Sequence, residues 1–216
     1  MLLPLSRLSL ATEYGGTASS PLTHIAALMR ATGPGFSRAV VTELPKLSPT
    51  LIVLSGLPGS GKTVLAESLS RALSVPIFSI DPIEAAMWRA GLAKAQTEIA
   101  AYEVAQALAD EHLRLRHSVI VDAVNAGEAP RSAWRNLAAK HRISLKIIEC
   151  VVTDETTHRQ RIEARVRSIA RTHEFTWARL QQRRAEYEAW TDPRLVLDTS
   201  HTSPAQLQVQ ALNYLR

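Results

Sequence analysis

The stretch LSGLPGSGKTVLAESL, residues 54–69, decides the fold. Its centre, GLPGSGKT, fits G-x-x-x-x-G-K-[ST] at Gly56, Gly61, Lys62 and Thr63. Glycines let backbone N–H groups curl around phosphate oxygens with no Cβ in the way. A helix that opens near Lys62 aims the positive end of its dipole at the same anion. This chemistry assigns Gly56, Pro58, Gly59, Ser60, Gly61, Lys62, Thr63 and Val64 to nucleotide binding. Within that set, Lys62 reaches the β- and γ-phosphates and the Thr63 hydroxyl ligates Mg2+.

The flanks give the loop its context. TLIVLS (50–55) reads as a buried strand, and KTVLAESLSRAL (62–73) places Val64, Leu65, Leu69 and Leu73 on one helical face. Further on, strands at 75–80, 118–122, 143–152 and 194–198 alternate with helices from 81, over 96–117, after Ala129, from 154 and through the last dozen residues. Such alternation is the pattern of a parallel sheet covered on both faces, an α/β sandwich of three layers. Residues 1–49 are broken by Pro, Gly and Ser and read as an N-terminal extension, leaving 50–216 as the nucleotide-binding domain.

Composition bounds the rest. With 216 residues, 46% hydrophobic and 21% charged, the chain suits one soluble core with an appendage. No apolar run approaches the roughly 20 residues that cross a bilayer, and the N-terminus lacks the basic segment of a secretion signal. Cys150, alone in its type, falls in the apolar run KIIECVV and reads as a buried strand thiol, in keeping with a reducing, cytoplasmic location. The net charge of +5 is concentrated in residues 131–190, with thirteen Lys/Arg against seven Asp/Glu. That excess suits phosphate neutralisation or nucleic-acid attraction. The seven histidines show no metal-ligand spacing, and His158 and His173 read as surface residues.

Two aspartates stand at strand ends. Asp122 closes SVIVD, where such enzymes place the carboxylate that orients magnesium or its water shell. Ala123 follows it, where motor ATPases typically carry a water-polarising Glu, so the motif leans away from a motor or transporter ATPase. Asp81, in FSIDPIEAAMW, suits a helix N-cap with Pro82 at the first helical position. A carboxylate at that edge also suits a base that takes a proton from an incoming hydroxyl. Between residues 158 and 176 a charged segment, a candidate lid, carries Arg159, Arg161, Arg165, Arg167 and Arg171. Arg161 and Arg165 share a helical face and are the first candidates to clamp a transferring phosphoryl group.

GLPGSGKT, SIDP, VIVDAVN, HRQRIEARV, FTW with RRAEY, and LVLDTS, taken in order, resemble the P-loop kinase-like "AAA-type ATPase" proteins. These are relatives of zeta toxins, chloramphenicol phosphotransferase and polynucleotide kinase. The likeness covers about residues 50–214. It implies a nucleoside-kinase-like P-loop fold, a five-stranded parallel sheet of order 2-3-1-4-5 and a helical lid. It implies Mg-dependent transfer of the γ-phosphate of ATP to a hydroxyl, with Asp81 as base, Arg161 and Arg165 on the lid side, and Asp122 and Asn125 in a segment usually written D-A-T-N. Here Val124 replaces the Thr. It also implies that 198–204 packs on the base. A small-molecule acceptor near Asp81 and Asn125 is the leading expectation. A polynucleotide 5′-hydroxyl kinase and a non-kinase ATP-binding switch or slow ATPase are the alternatives.

Overall fold

In the strand TLIVLS every residue is buried, because side chains on both faces of the sheet meet a helical layer. The computed structural model describes residues 48–168 and 176–216, and side chains 165–168 are not among those described. The N-terminal extension therefore lies outside the described residues, apart from Ser48 and Pro49.

Five strands, β1 (Thr50–Ser55), β2 (Ile77–Ser79), β3 (Val119–Asp122), β4 (Ser144–Val151) and β5 (Leu195–Asp198), form one parallel sheet of order β2-β3-β1-β4-β5. The helices are α1 (Lys62–Leu73), α2 (Ile80–Arg89), α3 (Lys94–Arg114), α4 (Glu128–His141), α5 (Glu155–Ser168), α6 (Trp177–Glu186) and α7 (Pro204–Leu215). The strand order and the three-layer sandwich are those implied above. Among the described residues no helix is long and apolar enough to cross a membrane.

Alternation along β1 sorts the two cores. Leu51 and Val53 face a cluster built with Ala101, Ala105, Ala109 and Leu113 of α3 and Trp134 of α4. Ile52 and Leu54 face the other cluster, with Leu65, Ala66 and Leu69 of α1 and Leu207, Ala211 and Leu215 of α7. Cys150 is buried in this second core, as read from its apolar run, and desolvation pushes its thiol up to about 12.

Two local readings change. Val64 is 55% exposed, so the buried stripe of α1 is Lys62, Leu65, Ala66 and Leu69 rather than the face containing Val64. At about 100° per residue, Val64 cannot share the stripe that Leu65 and Leu69 define. Helix α2 opens two residues earlier than read: Ser79 is its N-cap, and Asp81 stands inside the first turn rather than capping it.

Candidate functional site

Register brings the polar residues to one edge of the sheet. Leu54 and Ser79 both pair with Asp122, while Ser55 pairs with Glu149 and Val151 with Asp198. These are the carboxyl ends of parallel strands, where ligands of open α/β sheets bind.

The loop after β1 is held in a shape that L-residues rarely adopt. Gly56, Gly59 and Gly61 have φ of 139°, 80° and 83°. A Cβ on Gly56 would lie 2.2 Å from the carbonyl oxygen of Cys150. Helix α1 starts without a side-chain cap and without an acidic residue in its first turn. Its leading N–H groups therefore keep their capacity for an anion.

Around this loop lies a cavity of about 530 Å³ lined by Gly59, Gly61, Lys62, Thr63, Val64 and Arg161, and by Thr199, Thr202 and Pro204 of the segment after β5. Exposed Val64 thus lines this cavity and not the core. Thr199 ties the parts together. Its hydroxyl donates to the Ser60 carbonyl at 3.0 Å, and Arg161 donates to the Thr199 hydroxyl at 2.7 Å and to its carbonyl at 2.6 Å.

The Thr63 hydroxyl donates to Asp122 Oδ2 at 2.8 Å, and the Ser79 hydroxyl reaches the same oxygen at 3.2 Å. Asp122 Oδ1 and Ser60 Oγ are buried with no hydrogen-bond partner among the described residues. An unsatisfied buried carboxylate oxygen is costly in an apolar setting. A hydroxyl, a carboxylate and hard oxygen donors beside a phosphate loop fit Mg2+, which takes one or two protein oxygens and completes its shell with water and phosphate.

Asp81 is exposed in the first turn of α2, two residues after Ser79. Near it, burial pushes the Tyr102 phenol up to about 12, with the Asn125 backbone N–H donated to its oxygen opposing and the Asp81 charge adding to the rise. Asn125 itself is fully buried at φ 51°. Its Nδ2 donates to the Leu54 carbonyl at 3.2 Å and its Oδ1 accepts from Trp134 Nε1 at 2.9 Å. Both ends of the amide are engaged inside the protein, so Asn125 shapes the loop after β3 instead of offering its side chain to an acceptor. The side chain of Arg165 lies outside the described set.

Sequence reasoning missed several groups. His158 is 1% exposed, against its reading as a surface residue. It touches the phosphate loop at the Pro58 carbonyl, 2.8 Å away. Glu149 is also buried, accepting from Tyr187 at 2.9 Å and from Arg194 Nε at 2.6 Å. Tyr187 and Trp190 in turn reach Ser55, the residue just before the loop, at 2.9 and 3.2 Å. Arg131, 2% exposed, spends its guanidinium on four backbone carbonyls, of Asn125, Ala126, Glu188 and Ala189, and lies 4.1 Å over the Trp190 ring. A carboxylate inside KIIECVV was the visible signal for Glu149. Nothing local marks the others, because each depends on a partner more than 25 residues away in the chain.

The phosphate loop, the strand order and the helical lid define a P-loop kinase-like fold. The sequence model of the family described as "AAA domain" matches residues 51–190, and the chain belongs to that family. No curated protein matches it. Among solved structures, a provisionally assigned kinase from Chloroflexus aurantiacus shares a TM-score of 0.66 at 21% identity, over 78% of this chain and all of that one. The Mycobacterium tuberculosis APS kinase, in complex with AMPPNP and APS, gives 0.59 at 20%, covering 78% and 98%. A gluconokinase from Sinorhizobium meliloti gives 0.56 at 20%, covering 77% and 91%. These likenesses concern the fold.

Proposed function

We propose that this protein is a Mg-dependent phosphotransferase that moves the γ-phosphate of ATP to a hydroxyl of a small molecule. The observation that carries the reading is the buried edge cluster, in which Thr63 and Ser79 converge on one oxygen of Asp122 and the other has no partner among the described residues. The next residue is the buried Ala123, so no glutamate stands there to activate water.

In this reading the loop N–H groups and the Lys62 ammonium grip the phosphates, and the segment Thr199–Pro204 receives the base. Magnesium, when held by Thr63 and by Asp122 directly or through water, neutralises charge on the β- and γ-phosphates. Asp81 accepts the proton from the acceptor hydroxyl as its oxygen bonds to the γ-phosphorus and the bond to the β–γ bridging oxygen breaks. Arg161, aimed into the cavity by Thr199, offsets negative charge on the transferring group, with Arg165 assigned the same role. The similarity to an APS kinase and a gluconokinase supports the reaction class. We extend the relationship to zeta toxins, chloramphenicol phosphotransferase and polynucleotide kinase on the ordered motifs. We place the domain at 50–216 and its lid near 158–176.

A labelled-γ-phosphate screen tests this against sugars, nucleosides, aminoglycoside-like alcohols and 5′-hydroxyl oligonucleotides. Transfer to a small alcohol by the wild type is expected. In Asp81→Asn it should fall by about a hundredfold to ten-thousandfold, with nucleotide binding retained. Hydrolysis that no acceptor accelerates would overturn the reading in favour of a switch or slow ATPase. Transfer to oligonucleotides alone would move it to the polynucleotide class.

A further inference from the structure

His158 belongs to α5 yet sits against the phosphate loop. Its Nε2 lies 2.8 Å from the Pro58 carbonyl oxygen, and its Nδ1 lies 3.2 Å from Arg184 Nη2 on α6. Arginine can only donate, so Nδ1 must be the acceptor and Nε2 must carry the hydrogen given to Pro58. The imidazole is thereby fixed as one neutral tautomer. The Trp177 ring meets it edge-on at 5.9 Å.

The peptide that His158 holds is Pro58–Gly59. This peptide bond is trans, and in a trans peptide the C=O and N–H point in opposite directions. Anchoring the Pro58 oxygen on the α5 side therefore turns the Gly59 N–H away from α5, and Gly59 lines the cavity. On the α5 side there is no slack. A Cβ on Gly59 would come within 2.9 Å of Ile162 Cδ1 and 3.2 Å of His158 Cδ2.

We propose that His158 is a positioning residue for the phosphate loop, its neutral tautomer set by Arg184 and its ring aiming the Gly59 N–H at the bound phosphates. This rests on the nucleotide-binding part of the proposed function. Among the described residues the charged groups around the ring are Arg184 of α6 and Arg161 of its own helix, and the loop contributes only the carbonyl. Burial, helped by those two guanidinium charges, holds the imidazole below its ordinary value against the opposing pull of Pro58. Protonation would give the ring a second N–H, at Nδ1, facing the N–H of Arg184. Donor would meet donor and cation would meet cation, and the clamp on Pro58 would lose its fixed orientation.

Glutamine can copy both contacts, with its NH2 toward Pro58 and its oxygen toward Arg184, but it cannot titrate. Binding of a non-hydrolysable ATP analogue should be measured near pH 7.5, where the ring is neutral, and at the acid end of the His158 ring titration, which lies below the free imidazole value of about 6.5. Wild type should weaken on acidification by about tenfold more than His158→Gln. Both proteins see the same ligand, so protonation of the nucleotide cancels. His158→Leu should bind about tenfold more weakly than His158→Gln at the higher pH. In the nucleotide-free full chain, the Gly59 amide resonance should follow the His158 ring titration, and this change should vanish in His158→Gln. A Gly59 amide that ignores the titration overturns the proposal. So does an equal pH dependence in wild type and His158→Gln, or tighter binding at acid pH, which would make the imidazolium a bare charge. If Gly59 follows His158 but no nucleotide binds, the proposed function fails and the coupling stands.

Discussion

Gly56 and Gly91 both have left-handed backbone, with φ of 139° and 90°, yet they carry different loads. A Cβ at Gly56 strikes the Cys150 carbonyl at 2.2 Å, and backbone stands on both sides of that clash. Nothing lies within 4 Å of the equivalent atom at Gly91. Gly91→Ala should cost about 1–2 kcal/mol, from dihedral strain alone. Gly56→Ala adds overpacking and should cost about 2–5 kcal/mol in urea unfolding, with loss of nucleotide binding. The orphaned Oδ1 of Asp122 supports a second expectation. Mg2+ should add to the thermal stabilisation that ATP gives the wild type, and Asp122→Asn should abolish that increment while keeping the part due to nucleotide alone. An unchanged increment would remove Asp122 from the metal site.

At the scale of elements, α1 is a division of labour by angle. Leu69, fully buried, packs on the sheet, whereas Val64 looks into the cavity. Leu69→Ala should cost about 2–5 kcal/mol and Val64→Ala within about 0.5 kcal/mol, but only the latter should alter nucleotide affinity at full folding. The turn after β5 shows how one carboxylate ties two elements. Asp198 accepts from the Ser200 hydroxyl at 2.7 Å and its N–H at 2.9 Å, from the Thr153 hydroxyl and, at 3.4 Å, from the Thr153 N–H. Burial alone would push this carboxyl up, but the four donors outweigh it and hold it well below the usual range. A depressed carboxyl contributes its stability above the unfolded value, about 3.9, and loses it as pH falls below that point. Asp198→Asn should therefore flatten the acid limb of a stability-versus-pH curve and leave the neutral region nearly parallel to wild type. The elements themselves were legible because parallel strands are continuous apolar runs and the helices between them keep their 3.6 period. The first turn of α2 was not, since Asp81–Pro82 imitates a cap that Ser79 in fact occupies.

For the molecule as a whole, the phosphate loop and Asp122 were readable because short-range chemistry specifies them: glycines for curvature, a hydroxyl after lysine, a carboxylate ending a strand. The strand order came through resemblance, since alternation of strands and helices fixes parallel pairing but not neighbours. Other parts of the site depend on contacts that no window of sequence contains. Asn125 looked like a ligand and proved to be a brace between Leu54 and Trp134. His158 looked like a surface residue and proved to be wedged between α6 and the loop. Arg131, a cation that sequence alone would leave on the surface, fastens the loop after β3 to the segment following α6. Removing it as Arg131→Met would leave four carbonyls to be re-satisfied and should cost about 3–5 kcal/mol, visible as a lower midpoint of thermal unfolding.

The sheet order has one more consequence. With β1 at the centre, β3 and β2 spread to one side and β4 and β5 to the other. Asp81 belongs to the first wing, while Thr199 and Thr202 of the cavity wall belong to the second. In the proposed function the acceptor side therefore falls in the tract that begins at β2, whereas the nucleotide side is built from the loop after β1 and the segment after β5. Such a layout is modular. Transplanting the tract from β2 to α3 out of a relative with a different acceptor should change the alcohol that is phosphorylated and leave the choice of nucleotide untouched.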